Sequence, residues 1–557
     1  IYNFRELRRR LEGNGHVFST DGDTEVIAHL YEEEGRDCVR SLDGMFAFAL
    51  WDAPRRQLLV ARDRVGKKPL FYSLRGASIT VASELGALVM DPELDRKVDP
   101  RALDCYLSYG YIQPPLSIYM GARKLPPASV LVYSDDACEI ERYWRLDYSR
   151  KRHVEERPAL LAETREAIRG AVKRRMIADV PVGALLSGGI DSSAVVAAMA
   201  AVSAAPVKTF SIGFAADEFN ELPYARKVAD LFGTEHHEFR VEPDAVAMVP
   251  KIVRHYGEPF ADASAIPSFY VSELTRQHVT VALNGDGGDE SFGGYSRYVG
   301  NMVADRLARL PGPVRSAAAA AGARLPDSGR MDSAVSRLQR LGCGLVLTPA
   351  ERYASYMACF DADQRAALYS DDLRSLIGET SAPEVIAGPW RDASGDSPLD
   401  VMLEVDVESC LPGDLLVKMD IASMAHSLEA RSPLLDVAVM ELGASLPASM
   451  KVRGLEKKIL LRDALRDWLP DEILDRPKRG FAVPLAAWLR TDLREWAEEI
   501  LFDPRTVARG YFDQAYVRRM FDRHVAGQED AYPRIWALIV LELWHREFLD
   551  EPRLDLG

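Results

Sequence analysis

Leu185-Leu186-Ser187-Gly188-Gly189-Ile190-Asp191-Ser192-Ser193 (LLSGGIDSS) closes an apolar run, VPVGALL, and opens an alanine-rich one, SSAVVAAMAAV. A strand that ends in a glycine pair and turns directly into a helix aims backbone N–H groups at one concavity, where the helix N-terminus adds roughly half a positive charge. Ser187, Ser192 and Ser193 ring that concavity with hydroxyls, so the turn reads as a phosphate cradle; a capped helix start is the plainer alternative. The turn lacks the lysine of G-x-x-x-x-G-K-[ST] and carries Asp191 instead, which disfavours ordinary γ-phosphate transfer. An acid at ~4 Å from a phosphate is repelled by several kcal/mol at an effective dielectric of ~20 unless a cation lies between them. Asp191 therefore predicts Mg²⁺.

Outward from this turn, apolar strand-like runs (VPVGALL, VKTFSIGF, VTVALNG) alternate with helical ones (SSAVVAAMAAV, PYARKVADLFG, IPSFYVSELTRQ), a rhythm that predicts a parallel sheet covered on both faces. A second loop rich in acid follows VTVALNG: Asn284, then Gly285-Asp286-Gly287-Gly288-Asp289-Glu290. Alone it reads equally as an exposed turn. Paired with SGGIDSS on a neighbouring unit, it lets Asp191 and Asp289 share Mg²⁺ with phosphate oxygens, because that ion is usually held by one or two carboxylates plus substrate.

Residues 1 to about 145 have a different texture, short runs such as GMFAFALWD, RQLLVARDR, KPLFYSL, SITVASE and SVLVYSDD separated by turn residues, so strands dominate. The polar stretch ERYWRLDYSRKRHVEERP reads as a linker, and residues 155–557 as the larger α/β unit. Residues from about 300 to 400 read as accessory helices, and the terminal PRIWALIVLELWHREFL as a packed helix through Trp536, Ile539, Leu543 and Trp544. A net charge of −15 in 557 residues argues against a nucleic-acid partner, whose phosphates demand excess Lys and Arg. No window has the ~20 continuous apolar residues of a membrane span, and six scattered cysteines without paired spacing fit a reducing cytoplasm.

The motif SGGIDSS, the strand Phe210–Phe214 (FSIGF), the loop GDGGDE with SFGGY, and the blocks KMDIASMAHSLEARSPLLD and RPKRGF together resemble the glutamine-hydrolysing asparagine synthetase family, and the likeness runs along nearly the whole chain. The resemblance implies an N-terminal αββα Ntn-type glutaminase sandwich (1–145) followed by a parallel-sheet α/β ATP-pyrophosphatase unit with additional helices. It also implies a reaction in which the aspartate side chain attacks ATP, yielding β-aspartyl-AMP and pyrophosphate, after which ammonia displaces AMP. Carried over by position, Leu185, Ile212 and Gly285, with Asn284, would line the adenosine, while Ser187, Gly188, Gly189, Asp191 and Ser192 would hold pyrophosphate. Asp191 and Asp289 would bind Mg²⁺, Asp286 would serve adenylate formation, and Lys457 would reach the adenylate and leaving phosphates. Arg431 and Lys478 fall in matching blocks, although Arg431 reads equally as an ion-pair partner of Glu429 or Asp436. Asn284 stands where the family often has serine.

Asp23, in TDGDTEV, matches the family residue that binds the α-amino group of glutamine. The family's nucleophilic cysteine would lie upstream of Ile1, so the chain as written is expected not to hydrolyse glutamine and to use ammonia, the sequence being read as part of a longer product. The expected partners are small molecules (aspartate or a related carboxylate, ATP, glutamine or ammonia), and a homodimer is compatible with them. Two other readings stand beside this one: a related amidotransferase or β-lactam-synthetase-like enzyme adenylating another carboxylate, and an inactive nucleotide-binding protein.

Overall fold

The computed structural model describes residues 1–134, 137–214, 220–241, 244–325, 333–378, 384–476, 480 and 483–550. The N-terminal half contains two antiparallel sheets. One orders its strands β1 (Ala47–Asp52), β2 (Gln57–Arg62), β6 (Ser129–Ser134) and β7 (Ala137–Arg142). The other is β4 (Ser78–Ala82), β3 (Phe71–Arg75) and β5 (Arg123–Lys124). Alternation sorts their side chains by face, as a two-residue period requires. Val60 and Leu131 meet Leu70, Tyr72 and Leu125 between the sheets, whereas Leu59, Ala61 and Val130 face the helices Phe4–Gly13 and Glu25–Glu34.

The remainder is a mixed α/β unit built on a five-stranded, all-parallel sheet. Its order is β10 (Glu235–Val241), β9 (Lys208–Phe214), β8 (Val182–Leu185), β11 (Val281–Leu283) and β12 (Glu429–Arg431). Thus β8, which carries LLSGGIDSS, lies beside β11, which carries the GDGGDE loop, with Leu283 paired to Ala184. The helix Ile190–Val202 that follows β8 buries Ala194, Val195, Val196, Ala198 and Met199 almost completely, which explains why its small apolar residues show no polar stripe.

The alternating runs mark β8, β9 and β11, but β10 (EHHEFRV) and β12 (EAR) escaped that pattern. Both are edge strands, where charged side chains are tolerated because one flank is open to solvent. Likewise β7 extends to Arg142, into the polar stretch read as linker. The two halves share a core: Tyr106 of the helix Pro100–Tyr109 donates its hydroxyl to Ala537 O, 2.8 Å away in the terminal helix Tyr532–His545. Trp536 and Trp544 are buried there, and among the described residues no helix is long and apolar enough to cross a membrane. All six cysteines are free thiols.

Candidate active site

The turn after β8 is held by its own hydroxyls. Ser187 Oγ and Ser192 Oγ lie 3.1 Å apart, Gly189 N–H donates to Ser187 Oγ at 3.3 Å, and Ser192 Oγ donates to Gly189 O at 3.2 Å. Gly188 has φ +68°, and a Cβ there would sit 2.5 Å from Ala225 N, so the turn requires glycine both for its conformation and for its approach to the next helix. Arg476 fastens the turn from outside, donating to Ser187 O at 2.9 Å and to Glu221 at 2.6 Å while stacking over Tyr224. Leu185 is half-buried at the end of β8, and Ile212 is buried on β9 beside it.

The acid loop meets this turn. Asp191, in the first turn of Ile190–Val202, and Asp289, in the first turn of the short helix Gly288–Phe292, converge on one ammonium. Lys458 Nζ lies 2.5 Å from Asp191 Oδ2 and 2.6 Å from Asp289 Oδ1. Burial works against the Lys458 charge, but the two carboxylates outweigh it and raise its pKa above the ordinary lysine value. Gly294 permits the convergence: a Cβ there would fall 1.8 Å from Asp289 Oδ1 and 2.2 Å from Lys458 Cε.

The lysine between the carboxylates is thus Lys458, whereas Lys457, singled out from the sequence, donates to Ser296 Oγ at 3.0 Å. Lys458 holds φ +52° immediately before the helix Ile459–Ala464, a conformation that costs a non-glycine residue of order ~1 kcal/mol or more.

Asp286 has two partners the sequence did not reveal. Asn284 Nδ2 donates to its Oδ2 at 2.6 Å, so the asparagine that departs from the family pattern braces this carboxylate. Lys67 Nζ, from the N-terminal half, lies 3.8 Å from the same oxygen. The loop carrying Lys67 is built around the buried Asp63, whose carboxylate accepts from the backbone N–H groups of Lys67 and Lys68, each at 2.9 Å. Arg62 closes it by donating to the carbonyls of Gly66, Lys68 and Leu125. Lys68 then reaches Asp420 at 2.7 Å, a second clasp between the halves.

Nearby, Lys418 pairs with Asp262 at 2.8 Å, and Asp414, on the one-turn π-helix Leu411–Leu415, is pushed up to about 8 by burial and by Asp262. Arg431 resolves as a structural residue, 2.7 Å from Glu429 and donating to the carbonyls of Arg175 and Ile177; Asp436 is paired with Arg174 and Arg175 instead. Asp23 lies just before the helix Glu25–Glu34 of the N-terminal half, far from this cluster in sequence. Lys478 lies outside the described residues.

A parallel sheet whose adjacent strand ends present a hydroxyl-lined turn and a carboxylate pair defines an α/β protein. Residues 163–546 match the asparagine synthase family and residues 1–144 match a glutamine amidotransferase domain. The chain belongs to the asparagine synthase family, and is by that membership a carbon–nitrogen ligase. It is 33% identical over 548 residues to glutamine-hydrolyzing asparagine synthetase 1 of Bacillus subtilis (strain 168), covering 98% of this chain and 84% of that protein. It is 29% identical to synthetase 3 of the same organism, covering 94% and 80%. It is 24% identical to amidase chry2 of Gibberella zeae, covering 92% and 80%.

Proposed function

We propose that the protein forms an amide on aspartate through β-aspartyl-AMP, with AMP and pyrophosphate released. The observation that carries this reading is the convergence of Asp191 and Asp289 on a single cation position beside the serine cradle. Two carboxylate oxygens at that spacing fit a divalent ion with a preference for oxygen ligands, and Asp191 and Asp289 would hold Mg²⁺. When bound, the ion supplies charge neutralisation to the β and γ phosphates.

Ser187, Gly188, Gly189 and Ser192 present N–H and O–H donors to the pyrophosphate, and Lys458 takes the part expected of Lys457, its ammonium following the negative charge that develops on the leaving group. Leu185, Ile212, Asn284 and Gly285 line the adenosine. The aspartate side-chain carboxylate attacks the α-phosphorus, and the bond from that phosphorus to the αβ-bridging oxygen breaks with its electron pair going to pyrophosphate. Asp286, braced by Asn284 and Lys67, borders the acyl-phosphate as it forms. Ammonia then attacks the acyl carbon, loses a proton, and AMP departs.

Residues 1–145 serve as an Ntn-type αββα glutaminase sandwich in which Asp23 binds the glutamine α-amino group, and residues 155–557 as the synthetase, both in the cytoplasm. Ammonia supplied directly replaces glutamine as nitrogen donor. The test is incubation with ATP labelled on the α-phosphate, Mg²⁺, ammonia and aspartate. AMP with pyrophosphate is the expected outcome; ADP with orthophosphate overturns the reading, and AMP release only with another carboxylic acid reassigns the acceptor. The likeness, over 92% of this chain, to a protein named as an amidase is the reason to run that acceptor panel.

A further inference from the structure

Three side chains that the amide-forming chemistry leaves unused meet near the N-terminus. His16 follows the helix Phe4–Gly13, while His29 and Glu32 stand one turn apart on the helix Glu25–Glu34. His16 Nδ1 lies 3.0 Å from His29 Nδ1, and Glu32 Oε2 lies 3.4 Å from the first and 3.5 Å from the second. Both imidazoles are half-buried, with Phe18 packed against His29 at 4.4 Å between centroids; the carboxylate of Glu32 is on the solvent side.

The far edges of the two rings decide what this meeting point can be. His16 Nε2 faces Glu33 Oε1 at 3.2 Å, and His29 Nε2 faces Glu25 Oε1 at 3.7 Å. A carboxylate only accepts, so a His16 ring that donates Nε2–H to Glu33 presents Nδ1 as a lone pair. Glu25 faces His29 Nε2 across 3.7 Å, an electrostatic approach rather than a hydrogen bond. Two ring nitrogens 3.0 Å apart, with a carboxylate oxygen beside both, make a point that a proton or a metal cation fills.

That cation has a size. Four-coordinate zinc with bonds of about 2.0–2.1 Å to nitrogen and oxygen sets its donors about 3.3 Å apart, and the three separations here, 3.0, 3.4 and 3.5 Å, bracket that value. Metal-bound histidines characteristically donate their other N–H to a carboxylate, which fixes the tautomer and makes the ligating nitrogen more basic. Glu33 stands in that relation to His16.

We propose that His16 Nδ1, His29 Nδ1 and Glu32 Oε2 bind one Zn²⁺ ion, with the fourth position open to water on the side of the exposed Glu32. The site would pin the segment between the two helices, which carries Asp23, to the helix Glu25–Glu34. Glu25 already draws the start of that segment in, accepting from the N–H groups of Ser19 at 2.8 Å and Thr20 at 2.7 Å. The inference does not depend on the identity of the acceptor or on the adenylation reading.

The test uses the full chain, stripped with chelator and titrated with ZnCl₂ by calorimetry in excess Mg²⁺, so that the Asp191–Asp289 pair is occupied. One equivalent of zinc, with a rise in thermal midpoint on loading, is expected. Glu32→Gln, at an exposed position that folding does not require, weakens binding, and Glu33→Gln weakens it by about 10–100-fold through His16 alone. His16→Gln combined with His29→Gln abolishes it, whereas Asp191→Asn leaves it unchanged. Absence of stoichiometric uptake, or uptake unaltered in Glu32→Gln and in the double histidine variant, overturns the proposal; the first result would assign the close approach of the rings to a shared proton.

Discussion

Lys67 Nζ of the N-terminal half lies 3.8 Å from Asp286 Oδ2 of the synthetase half, and it finds no hydrogen-bond acceptor among the described residues. Burial pushes the Lys67 pKa down, with Asp286 and Asp420 pulling it back. An ion pair at that distance is worth ~4 kcal/mol at an effective dielectric of ~20 before desolvation is subtracted, and desolvation of a fully buried ammonium is of the same order or larger. Lys67→Met keeps the volume and removes the charge. It is expected to raise the thermal midpoint or leave it unchanged while slowing pyrophosphate release from ATP by about tenfold or more, because Asp286 loses its fixed counter-charge. Equal losses of stability and activity would mean that Lys67 only holds the interface.

Lys458 and Lys457 are neighbours with different surroundings, and the difference is measurable. Lys458→Met removes the ammonium that Asp191 and Asp289 share. Adenylate formation is expected to fall about a hundredfold or more, the range for loss of a charge-stabilising group, with the Mg²⁺ requirement shifted to lower concentration because the competing ammonium is gone. Lys457→Met, which removes a contact to Ser296, is expected to change the rate by about twofold at most. ATP–pyrophosphate exchange in both variants checks the contrast.

Gly294→Ala tests the packing that brings the carboxylates together. Its Cβ would fall within 2.2 Å of Lys458 Cε and 1.8 Å of Asp289 Oδ1, both near the ends of side chains, so the pair moves before the fold does. The expected stability cost is about 1–3 kcal/mol, that of inserting a methyl into a packed site. Mg²⁺-dependent ATP binding should weaken by at least about tenfold, read by calorimetry alongside a thermal melt.

Asp414 gives the molecule a pH dependence with a definite sign. Its carboxyl is pushed up to about 8 by burial and by Asp262, with Lys418 and Arg297 pulling it back. The folded protein therefore holds a proton that the unfolded chain releases near its ordinary value of 3.8. A group bound more tightly to its proton in the folded state contributes stability that is complete below the unfolded pKa and is lost as pH rises through the folded one. Asp414→Asn is expected to flatten the decline in thermal midpoint between about pH 5 and about pH 9; a decline identical to that of the parent would assign it to other groups.

The residues that make the turn after β8 were legible because their chemistry is local. LLSGGIDSS is a strand end, a turn and a helix start in nine consecutive positions, and glycine and serine act there through the backbone beside them. The parallel rhythm of β8, β9 and β11 was legible for the same reason, since strands buried on both faces read as largely apolar runs. The edge strands β10 and β12 were not, because one open flank frees them from that requirement.

From the amino-acid order alone come the α/β class, the pairing of two acid-bearing loops and membership in an asparagine synthase family. Folding in three dimensions set Lys458 between Asp191 and Asp289, brought Lys67 across to Asp286 and set two imidazoles against Glu32. A side chain's chemistry is written in its identity, but its partner depends on a backbone angle or on contacts hundreds of positions apart, and neither is encoded by the neighbours in the chain.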